Sequence, residues 1–481
     1  MIKVVALLLV AFCLATPATA ILPNQLPGLI EQVLAQPQFN HSNWGISIVT
    51  KLANGTVLPL YELNPSQFFV PASNNKIPTT AATFLFLGPK FHISTPVYGN
   101  FQNNNSTSGV ITDMCLVGEG DASIFPHRQL NQLAKSLVQR FKLNTVLQLS
   151  LDDTAFPASF PASWEWEDVT ETDGAQPNSL IANENAIGLS VSPTSNGNPP
   201  SISFTYPGDN VCVEIINKAV TVGSGETITQ PLSVGYVLGK SGIFVGGQIA
   251  NNSKAISWNG AALNPAERFK CLLEWEFNQA SISINNSEIK ACNPCAGKPF
   301  PCLTTSTLVG TIPSPSLEIT MNHTLQESDN LFAETFLRLL GLQWSMSLGS
   351  KQDAFSAGLS AVTAILSANG VDTTLFKQFD GSGLSRHNLM SPAAMIQIFL
   401  MMYDQPSGDI YRSFLPVAGE SGTLKSRMAG TSAQGVIHAK TGTMTGVNSL
   451  SGYMINDSFP TGSFSLSSVL FLFPFLFDVG G

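Results

Sequence analysis

Phe69-Val70-Pro71-Ala72-Ser73-Asn74-Asn75-Lys76 is the stretch on which the reading of this chain turns. Ser73 and Lys76 stand three apart, and a helix beginning near Ala72 puts both side chains on one face, where they touch. A serine hydroxyl is a poor nucleophile at neutral pH and needs a neighbour to take its proton. A helix N-terminus aims free N–H groups and a positive partial charge at Ser73, which suits a developing oxyanion. The same field, with burial, favours the neutral amine that a general base requires. Ser-x-x-Lys alone is a common pattern, matched by any N-capping serine followed by a solvated lysine, so its meaning depends on what accompanies it.

Around this stretch the chain reads as a folded domain. Gly28 to Leu34 has the look of a short helix, with Pro27 near its start. Asn43 to Leu60 alternates as a hairpin turning at Asn54-Gly55. After Lys76, Thr79 to Leu87 continues as an apolar helix closed by Gly88-Pro89. Pro78 is out of place there: beyond the first turn it removes a hydrogen bond at a cost of roughly 3 kcal/mol, so a kink or a tight first turn is predicted.

With 481 residues the chain is too long for one ordinary domain, and 44% hydrophobic content supports a substantial core. A net charge of -9 argues against nucleic acid as a partner. Residues 1–20 read as a signal peptide, with Lys3 as the positive region, an apolar run from Val4 to Leu14 and a small-residue cleavage site at Ala18-Thr19-Ala20. The run is too short for an integral membrane span. Export is the implied route, to an extracellular or periplasmic compartment.

Cleavage leaves Cys115, Cys212, Cys271, Cys292, Cys295 and Cys302, which in an exported chain favours disulfides of unassigned pairing. Cys292-Asn293-Pro294-Cys295 with Cys302 offers zinc as an alternative, although no histidine lies near it. Asn-x-Ser/Thr glycan acceptors occur at Asn40, Asn54, Asn104, Asn105, Asn251, Asn285, Asn322 and Asn456.

From about Thr95 to Thr307 the pattern changes to short strand-like runs separated by Gly, Pro, Asn and Ser clusters, among them Val110 to Val117, Thr145 to Leu151 and Val211 to Ile216. Leu130 to Phe141 and Pro265 to Phe277 are its clearest helices. We read this stretch as inserted, β-rich material. Helical periodicity returns with Leu331 to Leu340 and Asp353 to Ala368, and Ser391-Pro392 starts another helix running through Met401. Gly435 to Lys440 and Leu450 to Ile455 read as adjacent strands, and Phe464 to Phe477 is a candidate last strand.

Two further motifs give the first its meaning. Ser328-Asp329-Asn330 precedes a helix, and Lys440-Thr441-Gly442-Thr443 ends a strand. Ser-x-x-Lys, Ser-x-Asn and Lys-Thr-Gly in this order form the joint signature of class A β-lactamases and penicillin-binding proteins. The chain resembles, more narrowly, the D-alanyl-D-alanine carboxypeptidase/endopeptidase group of penicillin-binding proteins, serine peptidases with a large insertion after the nucleophile helix. Asp380-Gly381-Ser382-Gly383-Leu384-Ser385-Arg386-His387-Asn388, Gly422-Thr423-Leu424 and Gly446-Val447-Asn448-Ser449-Leu450-Ser451-Gly452-Tyr453 resemble that group too, as do Asp152-Asp153-Thr154-Ala155-Phe156, Trp164-Glu165-Trp166 and Asn183-Glu184-Asn185 in the insertion.

The resemblance implies an α+β fold: a β-lactamase/transpeptidase-like core, an antiparallel sheet flanked by helices, in two parts (21–94 and 308–481) around inserted β-rich material at 95–307. It implies Ser73 as nucleophile, Lys76 as its base and Ser328 as proton relay to the leaving amine. Asn330, Lys440, Thr441, Gly442 and Thr443 become substrate-binding positions, with the N–H groups of Ser73 and Thr443 as oxyanion hole. No metal or organic cofactor is required. Partners are a peptide or peptidoglycan fragment ending in D-Ala-D-Ala, and β-lactams as covalent inhibitors. Asp380 and His387, in a glycine-rich turn, read as structural. A β-lactamase or D-amino-acid esterase/amidase on the same scaffold, and a non-catalytic peptide- or glycan-binding homologue, stand as alternatives.

Overall fold

The structure, a computed structural model, describes residues 25–52, 54–237, 242–290 and 306–455, together with the backbone of 467–474. Residues 1–20, read from the sequence as a signal peptide, and Cys292, Cys295, Cys302 and Asn456 lie outside the described residues. The chain forms two compact units, one from residues 1–91 and 316–481, the other from 92–315.

The first unit is built on a five-stranded sheet. Its strands are β1 (Trp44–Lys51), β2 (Val57–Leu63), β3 (Ile437–Met444), β4 (Val447–Ile455) and β5 (Ser467–Pro474), in the order β3-β4-β5-β1-β2 and antiparallel throughout. β1 is buried along almost its whole length. Its alternation at Ile46 and Ile48 puts these residues in one core with Leu26, Ile30 and Val33 from α1 (Leu26–Leu34), and with Ile437, Ala439, Leu450 and Met454 from β3 and β4. β3 lies at the sheet's edge and runs on through Thr441, Gly442 and Thr443, where the sequence suggested it would stop at Lys440.

Helices α2 (Lys76–Leu87), α3 (Leu317–Glu327), α4 (Asn330–Leu348), α5 (Ala354–Ala368) and α6 (Pro392–Tyr403) complete the unit. α4 and α5 cross at small residues: a Cβ on Gly341 would meet Ala354 O at 1.9 Å, and one on Gly358 would meet Leu337 O at 2.1 Å. Asp353 caps α5 and Ser391 caps α6 by accepting from Ser356 N and Ala394 N. α2 is buried nearly all round despite its threonines. Their hydroxyls donate back along the helix, Thr80 to Lys76 O at 2.6 Å and Thr83 to Thr79 O at 2.8 Å, so no polar cost is left there. Of the two outcomes expected at Pro78, a kink or a tight first turn, the structure has the tight turn. Residues Ala72–Asn75 form a 3₁₀ turn and α2 begins at Lys76, so Pro78 falls in the first turn, where its missing N–H has no helical partner to lose.

The second unit holds its own five-stranded sheet, in the order Ser283–Ile289, Thr145–Asp152, Val110–Val117, His92–Phe101, Thr307–Ser316. Its core is formed with helices Asn131–Phe141 and Pro265–Gln279, through Leu133, Leu137, Phe269, Leu273 and Phe277. A smaller core gathers Ile187, Leu189, Val191, Ile243 and Val245. The strand expected at Val211 to Ile216 is instead a helical turn, Asp209–Cys212, followed by a short strand, Ile215–Asn217. Two long-range bonds account for the difference. Cys212 is disulfide-bonded to Cys271, and Asp209 receives the buried Arg268 guanidinium bidentately at 2.8 and 3.0 Å. Cys115 is also in a disulfide. No helix among the described residues is long and apolar enough to cross a membrane.

Removing one partner of that buried pair leaves the other charge uncompensated. Asp209→Ala should therefore destabilise the second unit by about 3–5 kcal/mol in denaturant unfolding.

Candidate active site

The turn that carries Ser73 starts from an unusual backbone at one residue. Ala72 has a left-handed backbone, φ 48°, a conformation that non-glycine residues adopt at a cost of order 1–3 kcal/mol and that clusters at functional sites. The 3₁₀ turn after it repeats every three residues, so residue 76 stands directly over residue 73. Lys76 Nζ is 2.9 Å from Ser73 Oγ. The lysine side chain is fully buried, and its Nζ also donates to Asn330 Oδ1 at 2.5 Å and to Ser382 O at 2.8 Å.

Asn330 comes from the first residue of α4. The joint before it is tight. Ser328 ends α3 in the left-handed region, φ 65°, and Asp329 caps α4 by accepting from Phe332 N at 3.0 Å. This joint turns the Ser328 hydroxyl toward β3, where it accepts from Lys440 Nζ at 2.8 Å. Lys440 also donates to Thr441 O at 2.7 Å, and Thr441 Oγ1 donates to Thr423 Oγ1 at 2.8 Å. Lys440 is fully buried, and burial first, then the charge of Lys76, hold its amine well below the usual lysine range.

β3 approaches the nucleophile turn backbone to backbone. A Cβ on Gly442 would lie 2.2 Å from Ser449 Oγ, 2.6 Å from Pro71 O and 3.0 Å from Ser73 N. Only a residue without a side chain fits. A polar clamp fixes the spacing: the buried Asn74 side chain bonds Ser449 Oγ at 2.5 Å and the Ser451 hydroxyl, and Ser449 Oγ donates to Pro71 O at 2.6 Å. Thr443, further along the same edge strand, is exposed.

The sequence-predicted residues thus fall into joined pairs: Ser73 and Asn330 at Lys76, Ser328 and Thr441 at Lys440, and Gly442 against the Ser73 amide. Asn74, Ser382 and Thr423 were quoted for their motifs and given no role, because a bond that closes between remote segments leaves no local pattern. Asp380 accepts from Ser385 N at 2.6 Å and Asn388 Nδ2 at 2.7 Å, and the His387 ring packs on Phe379.

Fold and site together define a serine peptidase with a transpeptidase-like core. The crystal structure of penicillin binding protein 4 (dacB) from Haemophilus influenzae superposes with a TM-score of 0.75, over 92% of this chain and 92% of that one, at 22% identity. The model of the D-Ala-D-Ala carboxypeptidase 3 (S13) family matches residues 26–469, and the chain belongs to that family. Penicillin-sensitive carboxypeptidase A of Dictyostelium discoideum is 32% identical over 429 residues, 86% of this chain and 80% of the relative. A D-alanyl-D-alanine carboxypeptidase of an Actinomadura species is 29% identical over 452 residues, 92% of this chain and 80% of the relative. The protein is a serine-type D-Ala-D-Ala carboxypeptidase.

Gly442→Ala tests the strand's approach. The added methyl pushes β3 off the Ser73 turn, and since a misplacement near 1 Å costs up to about 100-fold in rate, acylation should fall by roughly that factor in a burst assay.

Proposed function

We propose that Ser73 is the nucleophile of a D-Ala-D-Ala carboxypeptidase and that Lys76 is its general base. The observation that carries this is the 2.9 Å contact between Lys76 Nζ and Ser73 Oγ inside a site where the lysine has no exposure to water. Ser73 Oγ attacks the carbonyl of the penultimate D-alanine while its proton passes to Lys76 Nζ. The N–H groups of Ser73 and Thr443 receive the oxyanion, a role that the close approach of β3 to Ser73 N supports. Collapse of the tetrahedral intermediate expels D-alanine, whose nitrogen takes the proton by way of the Ser328 hydroxyl. Water then hydrolyses the acyl-serine, and its proton returns to the leaving Ser73 oxygen.

Lys440 and the hydroxyls of Thr441 and Thr443 hold the terminal carboxylate, and Asn330 bonds the peptide backbone while orienting Lys76. β-Lactams, whose amide mimics the scissile bond, acylate the same serine and stay attached. The physiological partner is a peptide or peptidoglycan fragment ending in D-Ala-D-Ala, with endopeptidase action on cross-linked peptides as a second activity. The chain is an exported glycoprotein in this reading. All the acceptors among the described residues (Asn40, Asn54, Asn104, Asn105, Asn251, Asn285 and Asn322) are exposed, which supports the glycan sites.

Two measurements test the proposal. Labelled penicillin should acylate the wild-type chain and fail on Ser73→Ala, with release of D-alanine from a D-Ala-D-Ala peptide lost in parallel; hydrolysis surviving in the variant would refute it. The second concerns Lys440, whose protonated form is disfavoured in the free site. A bound carboxylate favours that protonated form, so binding takes up protons, and affinity declines as pH rises through the free-site value. Calorimetry of a D-Ala-D-Ala peptide on Ser73→Ala, in buffers of different ionisation enthalpy, should show this uptake.

A further inference from the structure

The Ser382 carbonyl that accepts from Lys76 is held from behind by two carboxylates with no role in the chemistry above. The 382–383 peptide carries that oxygen at one end, and at its other end Gly383 N donates to Asp380 Oδ1 at 2.8 Å. The two preceding N–H groups, of Gly381 and Ser382, both donate to Glu334 Oε1, at 2.8 and 2.9 Å. Glu334 sits one turn beyond Asn330 on α4, and its other oxygen takes Arg338 Nη1 at 2.8 Å from the turn after that. Glu334 and Asp380 are fully buried, and Arg338 is 2% exposed. The loop is pressed against the nucleophile turn: Gly383 has φ +92°, and a Cβ there would meet Ala72 O at 1.9 Å.

We propose that Glu334 and Asp380 are positioning residues that hold the Ser382 carbonyl as a fixed acceptor for Lys76. Helix α4 then sets both hydrogen-bond directions of the amine, one directly through Asn330 and one through Glu334 and the loop. This rests on the reading of Lys76 as base. A neutral primary amine has two hydrogens and one lone pair. A backbone carbonyl cannot donate, and neither can the amide oxygen of Asn330, so each takes an N–H. With both hydrogens engaged, the lone pair is the part of the nitrogen left for the Ser73 hydroxyl proton. Without the Ser382 oxygen the amine can turn an N–H toward Ser73, and the serine then accepts where it should donate.

The cost of the arrangement supports a role beyond packing. Buried charges are expensive, and apolar residues of similar volume are often as stabilising. Burial and then the neighbouring Glu334 push the Asp380 carboxyl above the usual carboxylate range, so an anion there carries a penalty. What the two carboxylates supply in return is direction: four backbone N–H groups, at 381, 382, 383 and 385, are gathered onto their oxygens.

The test is single-turnover acylation by a fluorescent penicillin, resolved into the non-covalent constant Ks and the acylation rate k2, per active site titrated. In Glu334→Ala we expect k2 to fall about 10- to 100-fold with Ks within about twofold, the signature of a misaimed base in an intact pocket. Glu334→Gln, whose amide oxygen still accepts from Gly381 and Ser382, should return k2 to within about threefold of wild type. Should the alanine variant yield too few folded sites, Glu334→Asp, with its carboxylate withdrawn by one methylene, should show the same loss in k2 alone. Wild-type k2 per titrated site in the alanine or aspartate variant, or k2 and Ks falling together, would overturn the proposal. A wild-type chain that penicillin does not acylate would instead overturn the reading of Ser73 and Lys76.

Discussion

A lysine amine withdrawn from water has to be met by acceptors, and in this protein two of them come from remote parts of the chain. Lys76 lies at the start of α2, Asn330 at the start of α4 and Ser382 in the loop before α6. Each contact is a hydrogen bond that would be costly to leave unmade in a buried site. The order of the surrounding structure follows from that demand. The joint between α3 and α4 places Asn330 and, on its outer side, Ser328. The glycine-rich loop from Asp380 to Asn388 folds over its own buried carboxylate and presents a carbonyl inward. Lys440, also fully buried, meets the same problem with Ser328 and the Thr441 carbonyl.

Two buried lysines close enough to influence each other are an unstable combination unless the site is meant to receive a negative charge. Burial and mutual repulsion both work against a second ammonium, as the lowered basicity of Lys440 indicates. A carboxylate-terminated substrate would relieve that tension on arrival. The edge position of β3 suits this: its outer side pairs with the 416–418 segment only as far as Ala439, and beyond it Gly442 brings the strand against the Ser73 turn.

Much of this was legible in the amino-acid sequence. Ser73, Lys76, Ser328, Asn330 and Lys440 stand out because their motifs are short and local, with caps and strand alternation marking the elements that hold them. The antiparallel core was implied by the resemblance, and the inserted stretch was expected from the change of pattern between Thr95 and Thr307. What could not be read depends on closure between distant segments. Nothing around Asn74 announces that it clamps Ser449 and Ser451, and Glu334 looks like half of an ordinary surface i, i+4 pair with Arg338. The helical turn at Asp209–Cys212 was misread as a strand for the same reason: its bonds to Arg268 and Cys271 reach across 59 residues. At Pro78 the sequence left a kink or a tight first turn open, and the boundary between the 3₁₀ turn and α2 decides for the turn.

The position of β5 has a consequence for biosynthesis. Strand β1, near the N-terminus, is paired on one side by β2 and on the other by β5, which is made more than four hundred residues later. A nascent chain can form the β1–β2 hairpin early, but half of β1's hydrogen-bonding edge waits until residue 467 has left the ribosome. The intervening unit, contiguous from 92 to 315, has no such delay in its own core. Translation therefore delivers the 92–315 unit before the sheet that joins β1 to β5 can close around it in sequence.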